Sequence, residues 1–282
     1  MTVRTQSVTL LRTAGVLVAL LAVTYLFFVR TFAGQIIDER AVLGAHRFSG
    51  PFLGLIGSIL EGLPVYAVLI GLVMTTVIVL VRRSYWSLGI AWAAFLGANL
   101  TTQLLKHLLL TRPNTGATDD VTNSLPSGHT TLAASVALAV FLVSSARMRP
   151  MAAVGGWTFS AAVGLLLLSS RWHRPSDIVA AYTVVAVWGC LAGIASAMVS
   201  ARRGLWPAPG MPGPGKSRAL TALWWLAGGF AAISAMAFVV VCTAIDHDGA
   251  HAKIAFLGGA AAIVAACSAY AALCERLFRH LE

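Results

Sequence analysis

Eight stretches of roughly 20 mostly apolar residues recur along the chain, at about 10–32, 62–81, 84–106, 128–146, 151–170, 177–200, 219–244 and 252–274. Each is long enough to cross a bilayer as a helix. Lipid offers backbone groups no partners, so a chain built this way must satisfy its amides and carbonyls internally, and helices do so within each segment. Hydrophobic residues make up 58% of the 282 and charged residues 11%, against roughly a quarter charged in soluble domains. The expected fold is an all-α integral membrane protein of about eight spans. The first stretch follows Arg4 and Arg12, as a signal peptide would, but its apolar run exceeds the usual length and reads as a retained anchor. Gln35 to Gly62 is mixed, with Asp38, Glu39, Arg40, His46, Arg47, Glu61 and a Gly50-Pro51 turn. It reads as an interfacial helix and turn before the second span.

The polar segments alternate in charge. Arg4, Arg12, Arg82, Arg83, Arg147, Arg149, Arg202, Arg203, Lys216, Arg218, Arg276 and Arg279 fall on one side, with only Glu275 and Glu282 as acids. The opposite set holds the other 8 of 20 cations and 8 of 10 acids. The positive-inside rule places the first set, and both termini, in the cytoplasm of a multi-pass cell (inner or plasma) membrane protein. The net charge of +10 is thereby spent on topology. No basic run with interleaved aromatics speaks for nucleic acid.

Arg203 to Ser217 is rich in Gly and Pro and reads as a cytoplasmic linker. It divides a six-span bundle (1–201) from a C-terminal two-helix hairpin (219–282), with 202–218 between them. Gly189 and Gly193 sit four apart in the sixth span, a weak signal of close helix packing. Cys190, Cys242, Cys267 and Cys274 lie in or beside apolar spans without metal-ligand spacing, and read as packing residues.

Against this background three polar clusters stand out, each at the end of an apolar span and all on the extracytoplasmic side. Ionisable residues at membrane depth or at its rim are costly and mark function. Lys106, His107 and Arg112-Pro113 close the third span. Pro126-Ser127-Gly128-His129 opens the fourth. Arg171-Trp172-His173-Arg174-Pro175-Ser176-Asp177 joins the fifth to the sixth, where Pro175 and Ser176 suit a helix start with Ser176 as its cap. Two histidines, a carboxylate and several cations form a phosphate-handling set. Ser127 suits an N-cap, beyond which the unpaired first amides of a helix attract phosphate. Gly128 lets the backbone approach closely. Asp177, four residues after His173, can take one imidazole N–H and leave the other nitrogen free to attack. Taken singly, each cluster also fits a bland role: a capped helix, a surface ion pair, a snorkelling lysine.

These residues closely resemble the type 2 phosphatidic acid phosphatase (PAP2) superfamily of membrane lipid phosphatases, over about residues 30–200. That family carries a Lys…Arg-Pro motif, a Pro-Ser-Gly-His motif and a Ser-Arg…His…Asp motif. The second matches fully at Pro126, Ser127, Gly128 and His129, and the third matches at His173 and Asp177. The resemblance implies that His173 attacks phosphorus to give a phosphohistidine, that Asp177 orients it, and that His129 protonates the leaving oxygen. Lys106, Arg112, Ser127 and Gly128 would bind phosphate, with no metal or other cofactor. It also implies a six-helix bundle with an extracytoplasmic site.

The chain departs from the family at two points. Five residues, not six, separate Lys106 from Arg112, and Leu167 stands where the third motif has its Arg. Arg171, four residues on, is the expected substitute, with Arg174 second. The expected function is a lipid phosphatase whose substrate enters sideways from the bilayer. A polyprenyl diphosphate or phosphate is the favoured substrate, and phosphatidylglycerophosphate or phosphatidic acid the alternative. A weakly active lipid-phosphate binder or transporter is the reading from another class. The partners are the lipid substrate and membrane lipids, and the sequence sets no oligomeric state.

Overall fold

The computed structural model describes residues 2–45, 52–118, 122–206, 218–243 and 251–278. They form nine helices: α1 (Val3–Thr24), α2 (Phe32–Ala45), α3 (Phe52–Arg82), α4 (Tyr85–Leu104), α5 (Gly128–Val143), α6 (Arg149–Ser169), α7 (Pro175–Arg202), α8 (Arg218–Thr243) and α9 (Ala252–Phe278). Seven helices are long and apolar enough to span a bilayer, and α5 is a shorter apolar helix of 16 residues. The chain is an all-α, multi-pass membrane protein. The expected Gly50-Pro51 turn and most of the linker, residues 207–217, lie outside the described residues.

The centre of the bundle is α5. Twelve of its residues are buried, and it packs against α3, α4, α6 and α7. α7 is next most enclosed, and Tyr182, Val185, Cys190 and Ala197 lie in the main core. Small residues let the helices close up, as membrane interfaces require. A Cβ at Gly97 would run into the Trp188 ring, and one at Gly259 into Pro175.

The last two helices differ from the expected hairpin appended to a finished bundle. α8 packs chiefly on α9, whereas α9 also packs extensively on α2, α6 and α7. Ile263, Cys267, Cys274 and Phe278 belong to the main core. The Tyr270 hydroxyl donates to the Ala134 carbonyl of α5 at 3.2 Å. α9 reads as separate in the sequence only because a Gly/Pro-rich stretch precedes the pair. All four cysteines are free, and three of them are buried.

Regular α-helix breaks down at two places close to the polar clusters. α4 continues through a π turn, Leu105–Leu109, which carries Lys106 and His107; such turns often accompany functional positions. α6 ends at Ser169, and Arg171 adopts a left-handed conformation (φ 60°).

Candidate active site

The ends of α4, α5, α6 and α7 meet at one face of the bundle. Asn123 ties the first two turns together. Its amide donates to the carbonyls of Lys106 (3.2 Å), Leu110 (3.3 Å) and Leu125 (3.1 Å), fixing the π turn against the segment that leads to α5. Ser127 caps α5 as expected: its Oγ accepts from the Thr130 amide at 3.3 Å and from the Thr130 hydroxyl at 3.0 Å. Its own amide donates to the Asp177 carbonyl at 2.9 Å, so the start of α5 is fastened to the start of α7. Ser127 is fully buried. Its hydroxyl serves the helix first. At Gly128 an added Cβ would meet only Gln103 Nε2, at 3.7 Å. The fold itself leaves room for a side chain there, so the glycine is not demanded by packing.

His173 and Asp177 pair as the spacing predicts. Nδ1 of His173 lies 3.3 Å from Oδ2 of Asp177, with both residues buried. That contact engages Nδ1 and leaves Nε2 outside the pair. The same Oδ2 accepts from the Arg174 amide at 3.1 Å and from the Ser124 hydroxyl at 2.7 Å. The carboxylate is thus held by donors on three sides, as an orienting group must be. The His129 and His173 rings lie 6.3 Å apart, centroid to centroid, and the Trp172 ring stands edge-on to His129 at 5.5 Å. Lys106 is half-buried.

The cations are placed unequally. Arg112 is 8% exposed, and its Nε and Nη2 are buried without a hydrogen-bond partner among the described residues. Burial, then the neighbouring Arg174, lowers its pKa from the ordinary arginine value. Orphaned buried donors of this kind are rare. A planar guanidinium with free donors matches an oxyanion such as phosphate. Arg174 is also buried. Its Nη1 donates to Ser124 Oγ at 3.1 Å, and its Nη2 lies 3.5 Å from Glu39 Oε2. Arg171 is exposed. It does not extend the helical face of position 167, because α6 stops two residues earlier and the chain turns left-handed. It nonetheless lines, with His173, Arg174, Glu39 and Ser124, a polar cavity of about 500 Å³. His129, Lys106 and Arg112 lie outside that lining.

A further correction concerns the turn before α7. Ser176 is not its cap: Arg174 holds the cap position and Asp177 reaches back to the Arg174 amide. The Ser176 hydroxyl instead donates to Asp38 of α2, and the Ser176 amide donates to Asp38 Oδ1 at 3.3 Å. Sequence reasoning passes over Asp38, Glu39, Asn123 and Ser124 as site residues. Asp38 and Glu39 lie in a mixed stretch without a strong period, and Asn and Ser in a loop read as ordinary turn formers.

A family model, the PAP2 superfamily, matches residues 85–204. The match runs from the start of α4 to just past α7 and contains all three polar clusters. Residues 85–204 belong to the PAP2 superfamily. PAP2 membership points to phosphatase activity on lipid phosphates. α1–α3, α8 and α9 lie beyond the PAP2 match. No curated protein and no solved structure matches the chain.

Proposed function

We propose that the protein is a metal-independent lipid phosphatase that acts by covalent catalysis through His173 at the extracytoplasmic face of the membrane. The observation that carries this reading is a buried Arg112 whose Nε and Nη2 have no hydrogen-bond partner among the described residues, on the same face as a His173–Asp177 pair that engages Nδ1 and leaves Nε2 outside the pair. A phosphoryl group held by Arg112, Lys106 and the first amides of α5 would present phosphorus to His173 Nε2. Nε2 attacks, the bond from phosphorus to the lipid oxygen breaks, and His129 gives that oxygen its proton. Asp177 keeps the Nδ1 proton and stabilises the charge that develops on the ring. Water then attacks the phosphohistidine while His129 takes a proton from it, the bond from phosphorus to Nε2 breaks, and inorganic phosphate leaves. Arg171, on the cavity wall, meets the substrate's outer oxygens. Arg174, held by Ser124 and Glu39, supports the turn from within.

A polyprenyl diphosphate or phosphate is the preferred substrate. An outward-facing site suits recycling of a carrier lipid, and the charge pattern of the polar segments supports that orientation. Phosphatidylglycerophosphate or phosphatidic acid is the alternative. The test is phosphate release in detergent with EDTA from a polyprenyl diphosphate, phosphatidylglycerophosphate and phosphatidic acid, comparing the natural chain with His173→Ala. The expected result is EDTA-resistant release that His173→Ala abolishes, with the polyprenyl substrate fastest. Lipid binding without release from any of the three would overturn the reading in favour of a binder or transporter.

A further inference from the structure

α2 precedes the PAP2 match, yet its polar face reaches the candidate site. Gln35, Asp38 and Glu39 are spaced i, i+3, i+4 and so share one side of the helix. Gln35 and Asp38 are each 1% exposed. Each of the three grips a different part of the catalytic assembly. Gln35 Nε2 donates to the Pro113 carbonyl at 3.0 Å, and its Oε1 accepts from the Thr115 hydroxyl at 2.7 Å, so it holds the loop that follows Arg112. Asp38 accepts from both the amide and the hydroxyl of Ser176. Glu39 faces Arg174.

α7 needs what Asp38 provides. Amides in the first turn of a helix lack internal partners. The cap residue Arg174 offers no side-chain oxygen, and Asp177 Oδ2 is already engaged by Arg174, Ser124 and His173. The missing acceptor comes from 138 residues away. Asp38 also borders a cavity of about 140 Å³ with Pro175, Ser176 and Gly259. Burial first, and Asp177 second, push its carboxyl up to about 7. A buried carboxyl beside another is a costly feature to keep for packing alone.

We propose that α2 is a positioning clamp for the active site and that Asp38 is its central residue, holding the start of α7 so that Asp177 stays aligned on His173 Nδ1. The proposal rests on the phosphatase reading. Asp38 touches no reacting atom. It acts through Ser176, and its loss shifts the alignment of the nucleophile rather than the binding of the lipid.

The experiment uses the full chain in detergent and the lipid phosphate that the natural protein hydrolyses best, with Asp38→Ala, Asp38→Asn, Ser176→Ala and His173→Ala. Small misplacements of reacting groups cost about 100-fold, so kcat in Asp38→Ala should fall roughly 10- to 100-fold, with KM nearly unchanged. Asp38→Asn keeps an acceptor for the Ser176 amide and a donor for its hydroxyl, and should recover most of kcat. Ser176→Ala, which removes one of the two contacts, should fall between them. Should Asp38→Ala fail to fold, Asp38→Asn and Ser176→Ala decide the matter. Natural kcat per folded molecule in Ser176→Ala, or in Asp38→Ala, would overturn the clamp. A loss confined to KM would overturn it as well. Turnover that vanishes in His173→Ala but is unmoved by Asp38→Ala sinks the clamp alone. No turnover in the natural chain sinks the phosphatase reading and the clamp together.

Discussion

Arg112 shows how a single residue can be poor for the fold and right for the chemistry. A buried cation whose Nε and Nη2 have no hydrogen-bond partner among the described residues is unfavourable in the folded protein. Sites that bind a charged ligand commonly carry such a cost. Arg112→Gln should therefore separate stability from activity. It removes the buried charge, so the melting temperature in detergent should hold or rise. It also removes donors aimed at developing negative charge, and kcat/KM should drop by about 100- to 1,000-fold, the scale for a lost oxyanion donor. A thermal scan and a phosphate-release assay on the same preparation check both halves. A variant that melts lower and keeps its turnover would show that Arg112 is a structural cation. The sequence marks Arg112 by its position at the end of a span. Its burial, with no hydrogen-bond partner for Nε or Nη2 among the described residues, emerges only once the 110–118 loop is held in place by contacts such as Gln35 to Pro113 and Tyr25 to Thr111.

At the scale of elements, the legible parts are those with a local cause. Spans come from runs of apolar residues, the α5 cap from Ser127 before Gly128, and the His173–Asp177 pair from a four-residue spacing. Three elements differ from their sequence pattern where tertiary contacts decide. The pattern has α6 carrying Arg171 on its face, but the helix ends at Ser169. It has Ser176 capping α7, but that hydroxyl is drawn to Asp38. It sets α9 outside the bundle, but Gly259 lies directly beneath Pro175, where a Cβ would meet the proline ring and Ala41. No local signal in the sequence distinguishes that glycine from the other 25. Gly259→Leu should thus push α9 away from the first residue of α7 and from α2. Overpacking of this kind costs about 1–3 kcal/mol. A lower melting temperature together with reduced kcat is expected, because the displaced proline sits two residues from His173. Unchanged melting would mean that α9 can slide without cost.

For the molecule as a whole, the question is whether residues 219–282 are a separable hairpin or part of one bundle. Lipid is as apolar as the side chains it would replace, so removing a helix from a membrane bundle does not simply expose a core to water. What it forfeits is close packing and the polar contacts made inside the bundle. α9 is rich in both. Ile263, Cys267, Leu277 and Phe278 pack in the main core. Gln6 Nε2 of α1 donates to the Leu277 carbonyl at 2.6 Å, and Arg149 Nη1 of α6 donates to the Phe278 carbonyl at 2.9 Å. Without α9 these donors lose the carbonyls they now meet. α8 is different, since Trp225 and Met236 are 78% and 72% exposed and its packing is chiefly on α9. A chain ended at residue 218 should fail to yield monodisperse protein on size exclusion in detergent, and should lose turnover with it. Trp225→Ala in the full chain should leave both intact. A truncated chain that elutes as one species and turns over at the natural rate would make the PAP2 region and its preceding helices self-sufficient, and would reduce α9 to a lipid-facing cover.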